Sequence, residues 1–266
     1  VAYAGDHLAV LRRYPWVLQR AHNGRPRRVR HEQGRPVADR VRHGEHSGEV
    51  LRQLFSQEEI SIMKRESVEI FDEERGGTPY TGGESETIQP FLERRPFLSK
   101  LVDDDRIYNI GVDLCGPDFV LANNGGALRV GDTSWHRDAS LGNPIKDAQI
   151  NFYTQPLTRD TGCLRVIPGS HKRGVLPHEP EQETGEVYAG KNALLEDETG
   201  AIPVEMKAGQ VAVFSSLMLH KSGPNTTTNS YRRGFVPQYH VPGVCLKGTG
   251  ELFGEQVPIL RNGQLV

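Results

Sequence analysis

The sequence predicts an α+β fold that is mainly β, with helices first and an antiparallel body of jelly-roll or barrel type after them. Three observations carry this expectation. A capped stretch of helical period opens the ordered part of the chain near Glu49,. After Pro117 the chain breaks into short segments rich in β-branched and aromatic residues, separated by turn signals,. No run approaches the roughly 18 consecutive apolar residues of a membrane-spanning helix,. With 266 residues, 36% hydrophobic and 25% charged, the chain can build one sizeable core plus an appendage,.

The appendage comes first. From Ala21 to Gly48 there is no sustained period and little large apolar surface, so residues 1–47 read as an Arg-rich extension outside the core,. Residues 1–50 hold ten Arg and no Lys and carry a net +5, whereas residues 51–266 carry −7. An arm for nucleic acid would need aromatic residues among the arginines and a less acidic body behind it, so neither nucleic acid nor membrane is expected as a partner. The first twenty residues lack the order of a secretory signal. Cys115, Cys163 and Cys245 fit neither a disulfide framework nor a Cys-rich zinc site, and a reducing cytoplasm is the expected compartment,.

Next, Ser56 and Glu59 make an S-x-x-E capping box, and Ile60, Met63 and Ile70 begin an apolar stripe, which together predict a helix,. Gly76 to Gly83 ends it, and a second helical stretch is expected over Pro96 to Val102 or beyond. FVLANNGGAL, AQINFYTQPL, LRVIPGSH, IPVEMKAGQVAVFSSLML and RRGFVPQYHV then read as strands,. The domain is expected to span 48–245, with 246–266 as a C-terminal tail.

Within the β body, GDTSWHRDAS sets His136 two residues before Asp138. On a strand both point to one face, where an imidazole nitrogen and a carboxylate oxygen can serve one metal ion. Composition alone gives about half an H-x-D in a chain like this,, so the spacing needs support. It comes from VAVFSSLMLHKSGPN, where an apolar strand delivers His220 into a turn, supplying the third member of a two-His, one-carboxylate facial set. Twelve residues on, Arg232 offers a bidentate carboxylate contact suited to a dicarboxylate cosubstrate beside the metal. Arg233 is the alternative; Arg232 is preferred because it directly follows the aromatic position, and the two side chains leave a regular strand on opposite faces.

The order H-x-D, G-C-L-x-x-I-P-G-S-H, H-x-S-G-P-N and Arg resembles the phytanoyl-CoA dioxygenase-like branch of the Fe(II)- and 2-oxoglutarate-dependent oxygenases, over about 195 residues from LRQLFSQEEI onward. The resemblance implies a double-stranded β-helix of cupin type, with His136, Asp138 and His220 as iron ligands and Arg232 on the distal carboxylate of 2-oxoglutarate. It also implies oxidation of a C–H bond of a small-molecule metabolite by O₂, most commonly hydroxylation, with release of succinate and CO₂; cyclisation or desaturation needs the same ligands. Lys221 stands where the family usually has Gly. The carboxylate of Asp138 argues against halogenation, because related halogenases carry a small residue there.

Further positions are expected to line the site. Thr133, Asn151, Tyr153 and Ser222 are candidates for holding the oxo acid; Trp135 and His178 are candidates for touching substrate, although Trp135 packs away from the metal on a regular strand. The competing readings are a cupin-like zinc or iron hydrolase or isomerase and a binding protein with a vestigial site. Arg232 disfavours the first, since a hydrolase needs no dicarboxylate clamp at that spacing, and the intact ligand set together with Arg232 disfavours the second. Substrate identity and oligomeric state are not expressed in these patterns.

Overall fold

The computed structural model describes residues 48–266 apart from 52–53, 83, 103, 130, 139–145, 173–197, 199, 228–230, 246–249, 263 and 266. The Arg-rich extension and His178 lie outside the described residues. Among the latter, no helix is long and apolar enough to cross a membrane.

Strand β1 (Gly48–Leu51) leads into helix α1 (Gln57–Glu74). The capping box forms: the Ser56 hydroxyl accepts from the Glu59 amide at 3.2 Å, and Glu59 Oε2 accepts from the Ser56 amide at 2.7 Å,. Ile60, Met63, Ile70 and Phe71 bury one face of α1. Strand β2 (Glu86–Ile88) and a 3₁₀ turn at Leu92–Arg94 follow. The expected second helix is two: α2 (Pro96–Lys100) and α3 (Asp105–Cys115), where the Asp104 side chain caps α3 by accepting from the Arg106 amide,.

Glu66 is buried in α1, and its carboxylate accepts from the amides of Phe97 at 3.1 Å and Leu98 at 3.0 Å in the first turn of α2. An anion placed on the free amides of a helix start docks the two helices together. Glu66→Ala is expected to lower the unfolding free energy by about 2–3 kcal/mol, the range for hydrogen bonds to a charged group left unmade. Urea denaturation checks it; a loss below about 0.5 kcal/mol, the level of ordinary surface changes, contradicts it.

The main sheet is built from β3 (Phe119–Arg129), β4 (Asp147–Tyr153), β7 (Val211–Phe214), β9 (Arg232–His240), β10 (Val257–Arg261) and β11 (Gln264–Leu265), in the order β1-β7-β4-β9-β3-β10-β11, with β2 also on β3. The smaller sheet has β6 (Ile202–Val204), β5 (Leu164–Val166) and β8 (His220–Ser222), in the order β6-β5-β8. Residues 133–138 run alongside β8 through an antiparallel bridge of His136 to His220. Two antiparallel sheets facing one another give the jelly-roll, double-stranded β-helix that the sequence predicts.

Alternation divides the main sheet's two faces. Ile150, Phe152, Val211, Val213, Phe235 and Tyr239 pack with the helices, and Phe152 and Phe235 stack at 4.9 Å. Gln149, Val236 and Gln238 face the other sheet and the cavity between them. On β3 the register with β9 shifts between Leu121 and Asn123. Leu121 belongs to the helix-side core before the shift, and Asn123 lines the cavity after it. An inserted residue turns every later side chain to the opposite face.

One expectation is corrected. Residues 246–266, set apart as a tail, include β10, which pairs antiparallel with β3 and buries Val257, Ile259 and Leu260. The run VPIL is too short to announce a strand by period, and it is the exposed flank of β3 that recruits it.

Candidate active site

The segment 133–138, bridged to β8, brings His136, Asp138 and His220 together. His136 Nε2 lies 3.7 Å from Asp138 Oδ1, and His220 Nε2 lies 3.4 Å from Asp138 Oδ2. One ligand atom from each of the three lies within 4.8 Å of the others. The bridge between their strands sets the imidazoles side by side, with ring centroids 4.3 Å apart. His220 is delivered from β7 by a turn in which the buried Asp147 carboxylate accepts from Ser215 Oγ at 2.7 Å and from the Ser216 amide. Ser170 Oγ accepts from the Leu219 amide just before it, at 2.8 Å.

The protonation of the rings follows from their second nitrogens. His136 Nδ1 lies 2.7 Å from the Ser134 carbonyl and His220 Nδ1 lies 2.9 Å from the Met218 carbonyl. A carbonyl only accepts, so each Nδ1 carries hydrogen, and in the neutral ring Nε2 presents its lone pair to Asp138. Burial, reinforced by His220, pulls the His136 imidazole down to about 4. Burial also works against charge at Asp138 and His220, but each favours the ionised form of the other: the carboxyl is held below its usual range and the imidazole above. Asp138 Oδ2 is nevertheless buried with no hydrogen bond in good geometry. Two imidazole nitrogens and a carboxylate converging on one point, each ring oriented by a backbone carbonyl, fit a divalent cation.

Alternation sends the two arginines to opposite faces of β9,. Arg233 turns to the helix side, with Nη2 3.2 Å from the Tyr231 hydroxyl. Arg232 turns inward and is buried, its Nη1 donating to the carbonyls of Gly162 at 2.7 Å and Gly223 at 2.6 Å and its Nη2 to the carbonyl of Gly131. Its Nε–H is buried without a partner, and no carboxylate lies within ion-pair distance of it among the described residues. Burial lowers its pKa. A desolvated cation lacking a counter-charge calls for an anion.

The remaining expected residues divide. Tyr153 is close enough to Arg232 and Asp138 to feel their charges, and burial pushes its phenol up to about 12, so it is a neutral donor. Asn151, two residues earlier on the same face of β4, is buried with an unpartnered Nδ2. Thr133 Oγ1 accepts from the Ser222 amide at 2.9 Å, tying the first ligand strand to β8. Trp135 points away: it packs with Ile167 and Leu219, and its Nε1 donates to Glu198 at 2.9 Å. Its candidate role at the substrate gives way to a structural one because it alternates with His136. Lys221 and Arg165 meet the same glutamate at 2.6 and 2.8 Å. Hydrogen bonds from Lys221 and Trp135 hold the Glu198 carboxyl down at about 2. Lys221 therefore serves this outer cluster.

A cavity of about 860 Å³ opens from His136 and Asp138. Its walls include Thr87, Gln89, Asn123, Arg129, Gln149 and Gln238, none of which the sequence singled out. Asn123 and Arg129, like Gln149 and Asn151, stand at even spacings on their strands, a signal readable only once the ligands name the inner face.

The profile of the family described as phytanoyl-CoA dioxygenase (PhyH) matches residues 49–234. A probable phytanoyl-CoA dioxygenase of Caenorhabditis elegans is 33% identical over 93 residues, covering 34% of this chain and 30% of the relative. The chain thus spans less than a third of that relative's length. Among solved structures, the apo form of EctD from S. alaskensis superposes with a TM-score of 0.62 at 19% identity, over 83% of this chain and 84% of that one. SnoK, described as a non-heme alpha-ketoglutarate-dependent carbocyclase from nogalamycin biosynthesis, superposes with a TM-score of 0.60 at 15% identity, over 80% and 91%. At these identities the two structures share the fold.

Proposed function

The chain belongs to the phytanoyl-CoA dioxygenase family, and we propose that it is an Fe(II)- and 2-oxoglutarate-dependent oxygenase that hydroxylates a C–H bond of a small-molecule substrate, releasing succinate and CO₂. The observation that carries this reading is the pairing of the His136, Asp138 and His220 donor set with a buried arginine that has no carboxylate partner among the described residues. A hydrolase would use such donors around an activated water, but it has no use for the arginine.

Fe(II) held by the three donors supplies the redox chemistry that couples O₂ and 2-oxoglutarate to C–H oxidation. The side chains do the positioning. Arg232 takes the distal carboxylate of 2-oxoglutarate through its unpartnered Nε–H, beside the neutral Tyr153 hydroxyl,. The Asn151 amide and the Ser222 and Thr133 hydroxyls support the oxo acid. The cavity wall is rich in carboxamides, with Ala127 and Val236 as its aliphatic side chains among the described residues. An amide offers donor and acceptor side by side, which matches hydroxyl groups better than an acyl chain. We therefore assign a polar, hydroxyl-bearing metabolite as substrate and a reducing cytoplasm as the compartment, in keeping with three free thiols.

Under air, protein with Fe(II) and 2-oxoglutarate is expected to release succinate slowly without substrate, and faster with glycosides or cyclitols than with acyl-CoA thioesters. No succinate rejects the oxygenase reading; acceleration by the thioesters alone rejects the assigned substrate class.

Gly162 offers an independent check on Arg232. It sits at φ +77°, and a Cβ there would collide with Arg232 Nη1 and with the Gly223 carbonyl. Gly162→Ala is expected to raise the KM for 2-oxoglutarate about tenfold, the cost of one displaced charge-assisted contact, with divalent-metal affinity unchanged. Steady-state kinetics with a Co(II) titration decide it: an unchanged KM contradicts the assignment.

A further inference from the structure

The register of its strands lays out the inner face of the main sheet in rows. At one end Asn123 on β3 and Gln149 on β4 both stand opposite Gln238 on β9. Their amides bond one another: Asn123 Nδ2 donates to Gln238 Oε1 at 3.3 Å, and Gln238 Nε2 donates to Gln149 Oε1 at 3.0 Å. Six residues further along β3, Arg129 stands opposite Arg232. Residues directly opposite in an antiparallel pair share a face, and Arg129 lines the cavity together with His136 and Asp138.

Neither folding nor the cosubstrate accounts for this second arginine. Two cationic side chains directly opposite each other destabilise a sheet, and proteins break such local rules chiefly at functional positions. 2-Oxoglutarate has two carboxylates; Arg232 takes the distal one, and the other belongs to the end that meets the metal. Arg129 is half-buried. Among the described residues that line the cavity it is the only lysine or arginine, and the only carboxylate is that of Asp138, a member of the metal donor set. A cation on a partly desolvated wall attracts an anion far more strongly than it does in water.

We propose that Arg129 is a specificity-determining residue that takes a carboxylate of the substrate, an assignment that rests on the oxygenase reading and narrows its substrate class to a hydroxyl-bearing acid. One guanidinium can fork to both oxygens of a carboxylate. The hydroxyl groups of the same molecule turn toward the carboxamide row, whose members offer donors and acceptors together. Six residues of strand set the row about 20 Å from Arg129 along β3, a span that the inward reach of the side chains shortens. A ligand that touches both ends is therefore longer than one sugar ring, and the cavity of about 860 Å³ has room for it,. A glycoside of a uronic acid has this combination of length, hydroxyl groups and a single negative charge.

The experiment pairs glucuronides with glucosides of the same aglycone, which differ only in carrying a carboxylate or a hydroxymethyl group, and follows succinate release above the rate without either. The native protein is expected to favour the glucuronides in kcat/KM by about tenfold or more, the effect of one charge-assisted contact. Arg129→Gln should bring that ratio close to one, and Arg129→Lys should keep part of it because the charge remains. Anaerobic titration of the Fe(II) protein with 2-oxoglutarate, read from its visible band, should move by no more than about twofold in Arg129→Gln, as for separate sites. The metal-free Arg129→Gln protein should melt no lower than the native one, since one of two opposed charges is gone. Equal turnover of both members of a pair, turnover of the glucosides alone, or no acceleration by any glucuronide in protein that releases succinate without substrate overturns the proposal. So does a loss confined to 2-oxoglutarate affinity, which makes Arg129 a second cosubstrate clamp, or a melting point lower by more than about 4 °C, which makes it a structural residue. No succinate under any condition is instead the failure of the oxygenase reading, and the two failures remain distinct.

Discussion

Asp138→Ala is expected to abolish 2-oxoglutarate-dependent succinate release while leaving the metal-free protein folded, with its unfolding free energy changed by no more than about 1 kcal/mol. Asp138 is the only acid in the donor set, and both imidazole Nε2 atoms lie 3.4–3.7 Å from its oxygens. Without it, two neutral nitrogens remain, and the loss of cation affinity should exceed the 10–100-fold typical of outer partners. The fold does not depend on it in the same way. In the metal-free protein the carboxylate balances desolvation against His220, while Oδ2 makes no good hydrogen bond,. Calorimetric titration with Co(II) beside urea denaturation separates the two effects. Wild-type metal affinity in the variant, or collapse of its stability, contradicts the account.

Arg232→Lys is expected to raise the KM for 2-oxoglutarate about 100-fold or more, within the range for truncating one side of a buried charge pair. Metal affinity should stay within about threefold, because outer partners of the ligands are untouched. The guanidinium acts as both clamp and strut. Two of its nitrogens tie the carbonyls of Gly131, Gly162 and Gly223, and Nε remains for the cosubstrate. A lysine is a point charge that cannot fill both offices, so the variant should also lose about 1–3 kcal/mol of stability from carbonyls left unmade. Arg233→Lys is the control: its side chain meets Tyr231 on the helix side, and its KM should match the native value. Equal effects at both positions would mean that the inner face has been misassigned.

The parts of the site legible in the sequence are those expressed locally. His136 and Asp138 stand two residues apart beside β8, and the capping box at Ser56 needs only four residues, whereas His220, expected at the end of an apolar strand, opens β8 after the turn that follows β7,. That Arg232 and Arg233 leave β9 on opposite faces also follows from alternation,. What stays hidden is made across strands. Gly162 reads as an ordinary turn glycine until Arg232, seventy residues away, is seen against it. Asn123, Gln238 and Gln149 become one row only through the register of three strands, and the bulge that turns Asn123 inward leaves no period in FVLANNGGAL,. β10 escapes notice for a related reason: a short apolar run acquires meaning from the strand it covers.

The most direct test of the central claim is the visible spectrum after anaerobic addition of Fe(II) and then 2-oxoglutarate. The account predicts a metal-to-ligand charge-transfer band in the native protein, absent in His136→Ala and in Asp138→Ala, and requiring far more 2-oxoglutarate in Arg232→Lys. No band in the native protein, or one that persists unchanged in His136→Ala, contradicts it.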